Sequence, residues 1–139
     1  MLEVDVPLGV VSWSPQDGAA NVCPTWPATV CFNQAIDPAA LQNGDLVLGP
    51  SSCQPRAGID GGSIGFSTAT TEADDAGNPL CVTLTPQSPL SPGCYTVEAE
   101  GADLTQDPVR SADGGAVLEV TVRAVFQVSG SACLGADGG

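Results

Sequence analysis

The sequence contains no histidine and no lysine, and its three basic residues are Arg56, Arg110 and Arg123. Without histidine there is no Ser-His or Cys-His nucleophile pair, and without lysine there is no Schiff-base chemistry. Sixteen acids against three bases give a formal net charge of −13, which repels phosphate backbones and anionic lipid. These absences predict a protein that is not an enzyme and that binds no nucleic acid.

Long apolar runs are also missing. No stretch of the sequence is long enough to span a membrane, so we expect no membrane insertion. The N-terminus has neither the basic region nor the apolar region of a signal peptide. We therefore expect a mature or excised domain that begins at an artificial methionine.

Six cysteines are present, but no two have the C-x-x-C spacing of a zinc ribbon or a thioredoxin-like redox site. An even set that is spread along the whole chain predicts disulfide bonds instead. Such bonds persist in oxidising compartments, so we expect an extracellular or cell-surface location.

Apolar and polar residues alternate in short runs, which are separated by turns rich in the 17 glycines and 12 prolines. In "ATVCFNQAI" the alternation puts Val30 and Phe32 on the core face and Cys31 on the outward face. In "LCVTLTP" it puts Val82 inward and Cys81 outward. Each of these runs predicts a half-buried strand.

The first and last runs carry the same kind of signal. In "VVSWS" the parity of a strand places Val11 and Trp13 on one face. The last run, residues 116–128, places Val120 among its inward residues. Because that run is longer than an average strand, we predict that it is bent or split.

About seven antiparallel strands with turns between them, and no amphipathic helix, predict an all-β fold. The architecture expected is an immunoglobulin-like β-sandwich stapled by disulfides. We expect the sandwich to occupy residues 10–130. Residues 1–9 are predicted to form an N-terminal extension or edge strand, and residues 131–139 a C-terminal tail or linker.

Three sets of residues occur in an order and spacing that are typical of one protein family. The set around the first strand and turn is Val11, Ser14, Pro15, Gly18, Ala19, Asn21 and Val22. The set around the second strand is Val30, Phe32, Ile36, Asp37, Pro38, Leu41 and Leu46. The late set is Thr83, Leu84, Pro86, Leu90, Pro92, Gly93, Tyr95, Thr96 and Val97. From about residue 10 to 128 the chain thus resembles the bacterial immunoglobulin-like domains of SbsA type, which are repeated in surface-layer proteins, adhesins and other secreted bacterial proteins.

Copper-carrying CopC-type domains share the Ser-Pro-x-x-Gly-Ala opening and the Pro-Gly-x-Tyr corner, and they are similar in outline. Those domains bind copper through histidines. This sequence has no histidine and a single methionine, Met1, so it lacks the ligands that such a copper site needs. We therefore expect no copper cofactor.

The strand order of a sandwich of this topology suggests how the cysteines pair, because the start of one strand lies beside the end of its antiparallel neighbour. The pairs expected are Cys31–Cys81, Cys53–Cys94 and Cys23–Cys133. A rival pairing joins Cys53 to Cys81. Six cysteines allow fifteen connectivities, and the sequence does not select among them.

Two candidate ligand sites follow from residue type. In the turn "EADDAGN", the oxygen atoms of Asp74, Asp75 and Asn78 could hold calcium, although the EF-hand spacing is missing. Trp26, in a proline-flanked turn, is predicted to be exposed and to stack on a carbohydrate or contact a partner. Tyr95 is expected to be a structural corner residue that is hydrogen-bonded through its hydroxyl.

The resemblance and the composition together predict a non-catalytic structural module, a spacer or array element of a secreted or surface-anchored bacterial protein. Its expected partners are neighbouring domains or identical subunits at the cell surface. One alternative is an adhesion module that recognises carbohydrate or a protein. Another is a subunit that polymerises through exposed strand edges, such as the N-terminal "LEVDVPLG".

Overall fold

The computed structural model describes residues 8–14, 16–39, 45–54, 57–60, 62, 64–106, 108–112 and 116–128 of the 139-residue chain. The strands within these residues are β1 Val10–Ser14, β2 Ala28–Phe32, β3 Leu46–Ser51, β4 Phe66–Ala73, β5 Pro79–Pro86, β6 Gly93–Ala99 and β7 Val122–Val128. No helix in this part of the chain is both long enough and apolar enough to cross a membrane.

The seven strands pair antiparallel in two sheets. One sheet has the order β1-β2-β5-β4, and the other has the order β3-β6-β7. This division into four and three strands, in this order, is that of an immunoglobulin constant-type sandwich. The all-β, disulfide-linked sandwich predicted from the sequence is therefore confirmed.

The core lies between the two sheets and is built mainly from alternate residues of β2, β3, β5, β6 and β7. Val30 of β2 and Leu84 of β5 are completely buried on one side. Val97 and Phe126 face them from the smaller sheet, and the ring of Tyr95 stacks on that of Phe126 with 6.1 Å between centroids. Burying each large apolar side chain contributes about 1.5–3 kcal/mol, so the alternation in the sequence specifies which face turns inward.

The corner before β6 is fixed by a tyrosine and a glycine. The Tyr95 hydroxyl donates a hydrogen bond of 2.7 Å to the carbonyl of Ser91, as predicted for a structural corner residue. Gly93 has a φ of 145°, a conformation that residues with a Cβ rarely adopt. The Pro-Gly corner thus sets the point at which β6 begins.

The free edge of β7 is covered by residues 17–22, which run parallel to it. Their backbone hydrogen bonds are Gly18 N to Val125 O (2.6 Å), Gln127 N to Ala19 O (2.8 Å) and Val22 N to Gln127 O (3.0 Å). Asp17 adds a fourth bond, since its Oδ1 accepts from Val125 N at 2.8 Å. The smaller sheet therefore presents no open edge at β7.

The described residues between β3 and β4 pass over the outer face of the smaller sheet, and we call them the crossing segment. They are residues 52–54, 57–60, 62 and 64. A disulfide from Cys53 to Cys94 fastens the start of the segment to β6. The Thr96 hydroxyl then donates a hydrogen bond of 2.7 Å to the carbonyl of Ala57. Because of this cover, Cys94 and Thr96 are buried although they face away from the core.

The crossing segment ends along the other edge of the smaller sheet. Asp60 N donates to Pro50 O at 2.7 Å, and Ile64 N donates to Leu48 O at 2.8 Å. These bonds satisfy carbonyl groups of β3 that face away from β6. Both edges of the smaller sheet are thus covered by irregular chain.

The prediction that Val11 and Trp13 share one face of β1 is wrong. Val10 lies opposite Phe32, whereas Ser12 lies opposite Cys31, so Val11 is an extra residue in a β-bulge. The bulge turns Val11 outward, where it is 63% exposed, while Trp13 packs partly against the core. The parity of the sequence does not carry across an inserted residue.

The last apolar run is split, as predicted, because only residues from Val122 onward are a strand. Val120, predicted to face inward, is instead 63% exposed. The cause is the close approach of Gly101, where an added Cβ would lie 2.5 Å from the backbone carbon of Val120. The backbone of residues 118–120 is bound to the loop after β6, since Ala102 N donates to Leu118 O at 2.8 Å.

We predict that Gly101→Ala lowers the free energy of unfolding by about 2 kcal/mol, because the new methyl group overlaps backbone atoms that cannot rotate away. Urea denaturation followed by fluorescence measures this loss. Gly9→Ala is the matched control, since nothing lies within 4 Å of its added Cβ. Equal stability of the two variants would contradict the close approach.

Candidate functional site

Three loops meet at one end of the sandwich, which we call the three-loop end. They are residues 33–39 after β2, 74–78 between β4 and β5, and 100–106 with 108–112 after β6. They meet because β2, β4 and β6 run in the same direction. The bonds that join them are Asp37 N to Arg110 O (2.8 Å), Ala112 N to Ala35 O (2.9 Å) and Ile36 N to Pro79 O (2.8 Å).

Described residues form two shallow clefts at the three-loop end. The larger has a volume of about 540 Å³ and is lined by Ala102, Asp103, Leu104, Thr105, Gln106, Pro108, Arg110 and Val117. The smaller, of about 290 Å³, is lined by Gln34, Ala35, Asp74, Asn78, Ser111 and Ala112. Leu104 is 53% exposed, so apolar surface is available beside the larger cleft.

The smaller cleft contains two of the three residues predicted to bind calcium. Asp74 and Asn78 line it, whereas Asp75 is exposed and does not. One carboxylate oxygen of Asp74 already accepts hydrogen bonds from Ala76 N (2.9 Å) and Asn78 N (2.8 Å), which close the turn between β4 and β5. Among the described residues no cluster of three metal-ligating side chains occurs. Calcium binding at this turn stays a prediction.

Asp103 ties the loop after β6 to the residues before β7. Its Oδ1 accepts hydrogen bonds of 2.8 Å from both the hydroxyl and the backbone N–H of Thr121. These bonds hold the pKa of Asp103 below its usual value, and the bond from the Thr121 hydroxyl has the larger effect. The carboxylate is therefore used to shape the wall of the larger cleft.

Trp26 lies at the opposite end of the sandwich. It precedes Ala28, which pairs with Leu84 near the end of β5, while Asp74 and Asn78 lie at the start of β5. Trp26 is half-buried and packs against the core, and its backbone N–H donates to Cys23 O at 3.0 Å. The predicted carbohydrate contact and the predicted calcium turn are therefore separate, and the structure does not bring them into one site.

The disulfides lie outside the core. Cys31 and Cys81 are direct partners on β2 and β5, with Cα atoms 4.1 Å apart, and Thr29 and Thr83 form a hydroxyl hydrogen bond of 2.8 Å beside them. Cys53 and Cys94 are joined with a Cα separation of 5.3 Å. Both are the pairs expected from the strand order. Cys81 is nevertheless buried rather than exposed, because its sulfur lies against Cys31 instead of in solvent.

Cys23 is also disulfide-bonded. Its expected partner, Cys133, lies outside the described residues. The pairing of Cys23 with Cys133 therefore stays a prediction, and peptide mapping of the non-reduced protein tests it.

An ion pair on the outer face of the smaller sheet was not anticipated from the sequence. Arg123 Nε donates to Glu98 Oε2 at 2.6 Å, and the Glu98 side chain is only 7% exposed. The two residues are direct cross-strand partners on β6 and β7. Gly58 of the crossing segment lies against the guanidinium. The available signal was one arginine in the last apolar run and one glutamate in the run that follows the Pro-Gly corner.

A second carboxylate lies near this ion pair. Burial raises the pKa of Glu100, the charge of Glu98 raises it further, and the charge of Arg123 lowers it. Ionised Glu100 is therefore less favourable in the folded protein than in the unfolded chain. This edge of the molecule concentrates negative charge around one arginine.

We predict that Arg123→Met lowers the free energy of unfolding by about 2 kcal/mol, since it leaves the buried Glu98 carboxylate without its ion-pair partner. The double variant Arg123→Met, Glu98→Gln should recover most of that loss. Urea denaturation of the two single variants and the double variant measures the coupling. Strictly additive losses would show that the two groups do not interact.

We predict that Glu100→Gln raises stability at pH 7 by at most about 0.5 kcal/mol, because the carboxyl is partly solvated. The folded pKa of Glu100 lies above its unfolded value of about 4.5, so its contribution to stability falls as pH rises through the folded pKa. Below pH 4.5 both proteins carry a neutral group and their stabilities should converge. Thermal unfolding at pH 4 and pH 7 would contradict this if the difference were larger at pH 4.

Sequence similarity identifies the family of the chain. Residues 4–114 match the family model described as a bacterial Ig-like domain. No curated protein sequence matches the chain significantly.

Several solved structures are similar to the chain. PcoC, a methionine-rich copper resistance protein from Escherichia coli, is similar with a TM-score of 0.52 and 15% identity over 89% of this chain and 100% of that chain. CopC from Methylosinus trichosporium OB3b is similar with a TM-score of 0.52 and 19% identity over 91% of this chain and 98% of that chain. The N-terminal part of the bacterial S-layer protein SbsC has a TM-score of 0.49 and 17% identity, over 89% of this chain and 24% of that chain.

The likeness to PcoC and CopC, at 15% and 19% identity, shows the fold alone. The sequence match is the stronger finding, because it extends over most of the chain and agrees with the observed strand order. The chain therefore belongs to the bacterial Ig-like domain family.

Proposed function

We propose that this domain is a non-catalytic extracellular structural module, a spacer or array element of a secreted or surface-anchored bacterial protein. The observation that carries the proposal is the direction of the first and last strands. β1 begins at Val10, opposite Phe32 at the three-loop end, and β7 ends at Val128, opposite Gly93 at the other end. About 20 Å of sandwich separates the two points, so modules could follow one another along this axis.

Residues 17–22 and β7 are joined by hydrogen bonds in a geometry that resists tension. Residues 17–22 and β7 run parallel and are joined by four hydrogen bonds, including that of Asp17. When the two ends of the chain are pulled apart, parallel neighbours slide against each other. All of their hydrogen bonds then carry the load together instead of opening one by one.

The use of the carboxylates supports a non-catalytic role. Asp17, Asp37, Asp74 and Asp103 each accept a hydrogen bond from a backbone N–H in a loop or at a strand edge. Glu98 is paired with Arg123. These acids hold the backbone in place, as expected for a module whose role is its shape.

The cross-links support an extracellular or cell-surface location, because disulfides persist in oxidising compartments. Three sets of sequence motifs support the narrower assignment to the SbsA type of bacterial Ig-like domain. The partners proposed are neighbouring domains or identical subunits. We do not extend the proposal to carbohydrate, since Trp26 packs partly against the core.

Pulling the single module by its two ends tests the proposal. The experiment uses a Cys23→Ser, Cys133→Ser background, because a disulfide at Cys23 would carry part of the load. We expect one cooperative unfolding event, and Asp17→Ala should lower the mean unfolding force by removing the bond to Val125 N.

The matched control is Asp37→Ala, which removes the hydrogen bond to Ala39 N, away from β7. This variant should unfold at the force of the parent. Gradual extension of the parent at low force, or equal forces for the two variants, would count against a load-bearing spacer.

A further inference from the structure

Strand β4 is exposed along almost all of its length. Seven of its eight residues are exposed, and Phe66 is half-buried. Among the described strands β4 pairs with β5 alone, so its other edge is open. The edges of the smaller sheet, by contrast, are covered by residues 17–22 and by the crossing segment.

The exposure extends to the face of β4 that points toward the other sheet. Thr68 and Thr70 lie opposite Leu84 and Val82, which are completely buried, yet both threonines are exposed. The four-stranded sheet therefore projects beyond the three-stranded sheet by the width of one strand. Both faces and one edge of β4 are available to another molecule.

The composition of β4 suits contact between acidic molecules. The strand has the sequence FSTATTEA, and Glu72 is its one charged residue in a chain with a net charge of −13. Threonine and phenylalanine favour strands, and no residue of β4 is a proline. A β-bulge at Thr71 interrupts the register with β5, so Phe66–Thr70 is the regular stretch.

We propose that β4 pairs with β4 of a second copy of this chain, antiparallel and across a two-fold axis that passes beside Thr68. Such an axis preserves the faces of the sheet, because residues that point to one face meet residues that point to the same face. Thr68 then lies opposite the same residue of the second copy, and Ser67 lies opposite Ala69. Two four-stranded sheets become one sheet of eight strands.

The position of Glu72 favours a pairing that is centred on Thr68. With the axis at Thr68, the two copies of Glu72 lie at opposite ends of the contact, about 26 Å apart. This exceeds the screening length of about 8 Å at physiological salt, so the two carboxylates do not repel each other appreciably. The rest of the pairing stretch carries no charge.

The contact is small, so the dimer is expected to be weak in dilute solution and to strengthen where copies are crowded together on a surface. This lateral contact deepens the proposed structural role. Its test measures mass in solution, whereas the test of that role measures unfolding force, so the two can fail separately.

Sedimentation equilibrium over a range of protein concentrations tests the pairing. We expect the average mass to rise toward that of a dimer, and to rise further with added salt, because salt screens the repulsion between two acidic copies. Thr68→Glu and Thr68→Lys should each weaken the dimer about fivefold, since like charges would meet at the axis. An equal mixture of the two variants should recover dimer formation.

The matched control places the same charges at Thr85, which is exposed on β5 but lies away from the open edge. Thr85→Glu and Thr85→Lys should dimerise as the parent does, and mixing them should bring no recovery. Circular dichroism checks that every variant is folded. A parent that stays monomeric at millimolar concentration overturns the proposal, as does a mixture of Thr68 variants that dimerises no better than either alone.

Discussion

Strand β6 is buried on both faces, and the rest of the structure depends on this. Its inward side chains, Tyr95 and Val97, fill the core, while its outward ones, Thr96 and Glu98, are covered by the crossing segment and by Arg123. A polar face can be buried only when its groups find partners, and each of these does. The disulfide from Cys53 to Cys94 keeps that cover in place, because it ties a long connection to the second residue of the strand.

Most of the fold could be predicted from the sequence, because the period of two in β2 and β5 records directly which side is buried. The failures share one cause. Val11 and Val120 are apolar residues at positions where a bulge or an approaching glycine backbone changes the parity, and neither event leaves a mark in the alternation. The burial of Cys81 and the ion pair of Glu98 could not be derived either, because the alternation shows which residues face outward but not which residues contact them there.

The candidate sites were less predictable than the fold. Residue type suggested calcium at Asp74 and a ligand contact at Trp26, but both residues take part in structure that sequence does not reveal. The Asp74 carboxylate closes a turn, and Trp26 packs against the core. Carboxylates in an acidic protein have two competing uses, binding a cation or accepting backbone N–H groups, and only the loop geometry decides between them.

The domain has two possible directions of assembly, one along the strands and one across them. These two directions are perpendicular, and this limits how copies of the domain can be arranged. Linkage through the ends of the chain extends along the strands, from Val10 toward Val128, whereas pairing through β4 extends across them. A two-fold contact at β4 covers that edge in both copies, so the assembly stops at a dimer. Continued lateral growth would need the other edge of the same sheet, at β1, where the bulge at Val11 interrupts the ladder. The geometry therefore favours paired strings of modules over an open sheet.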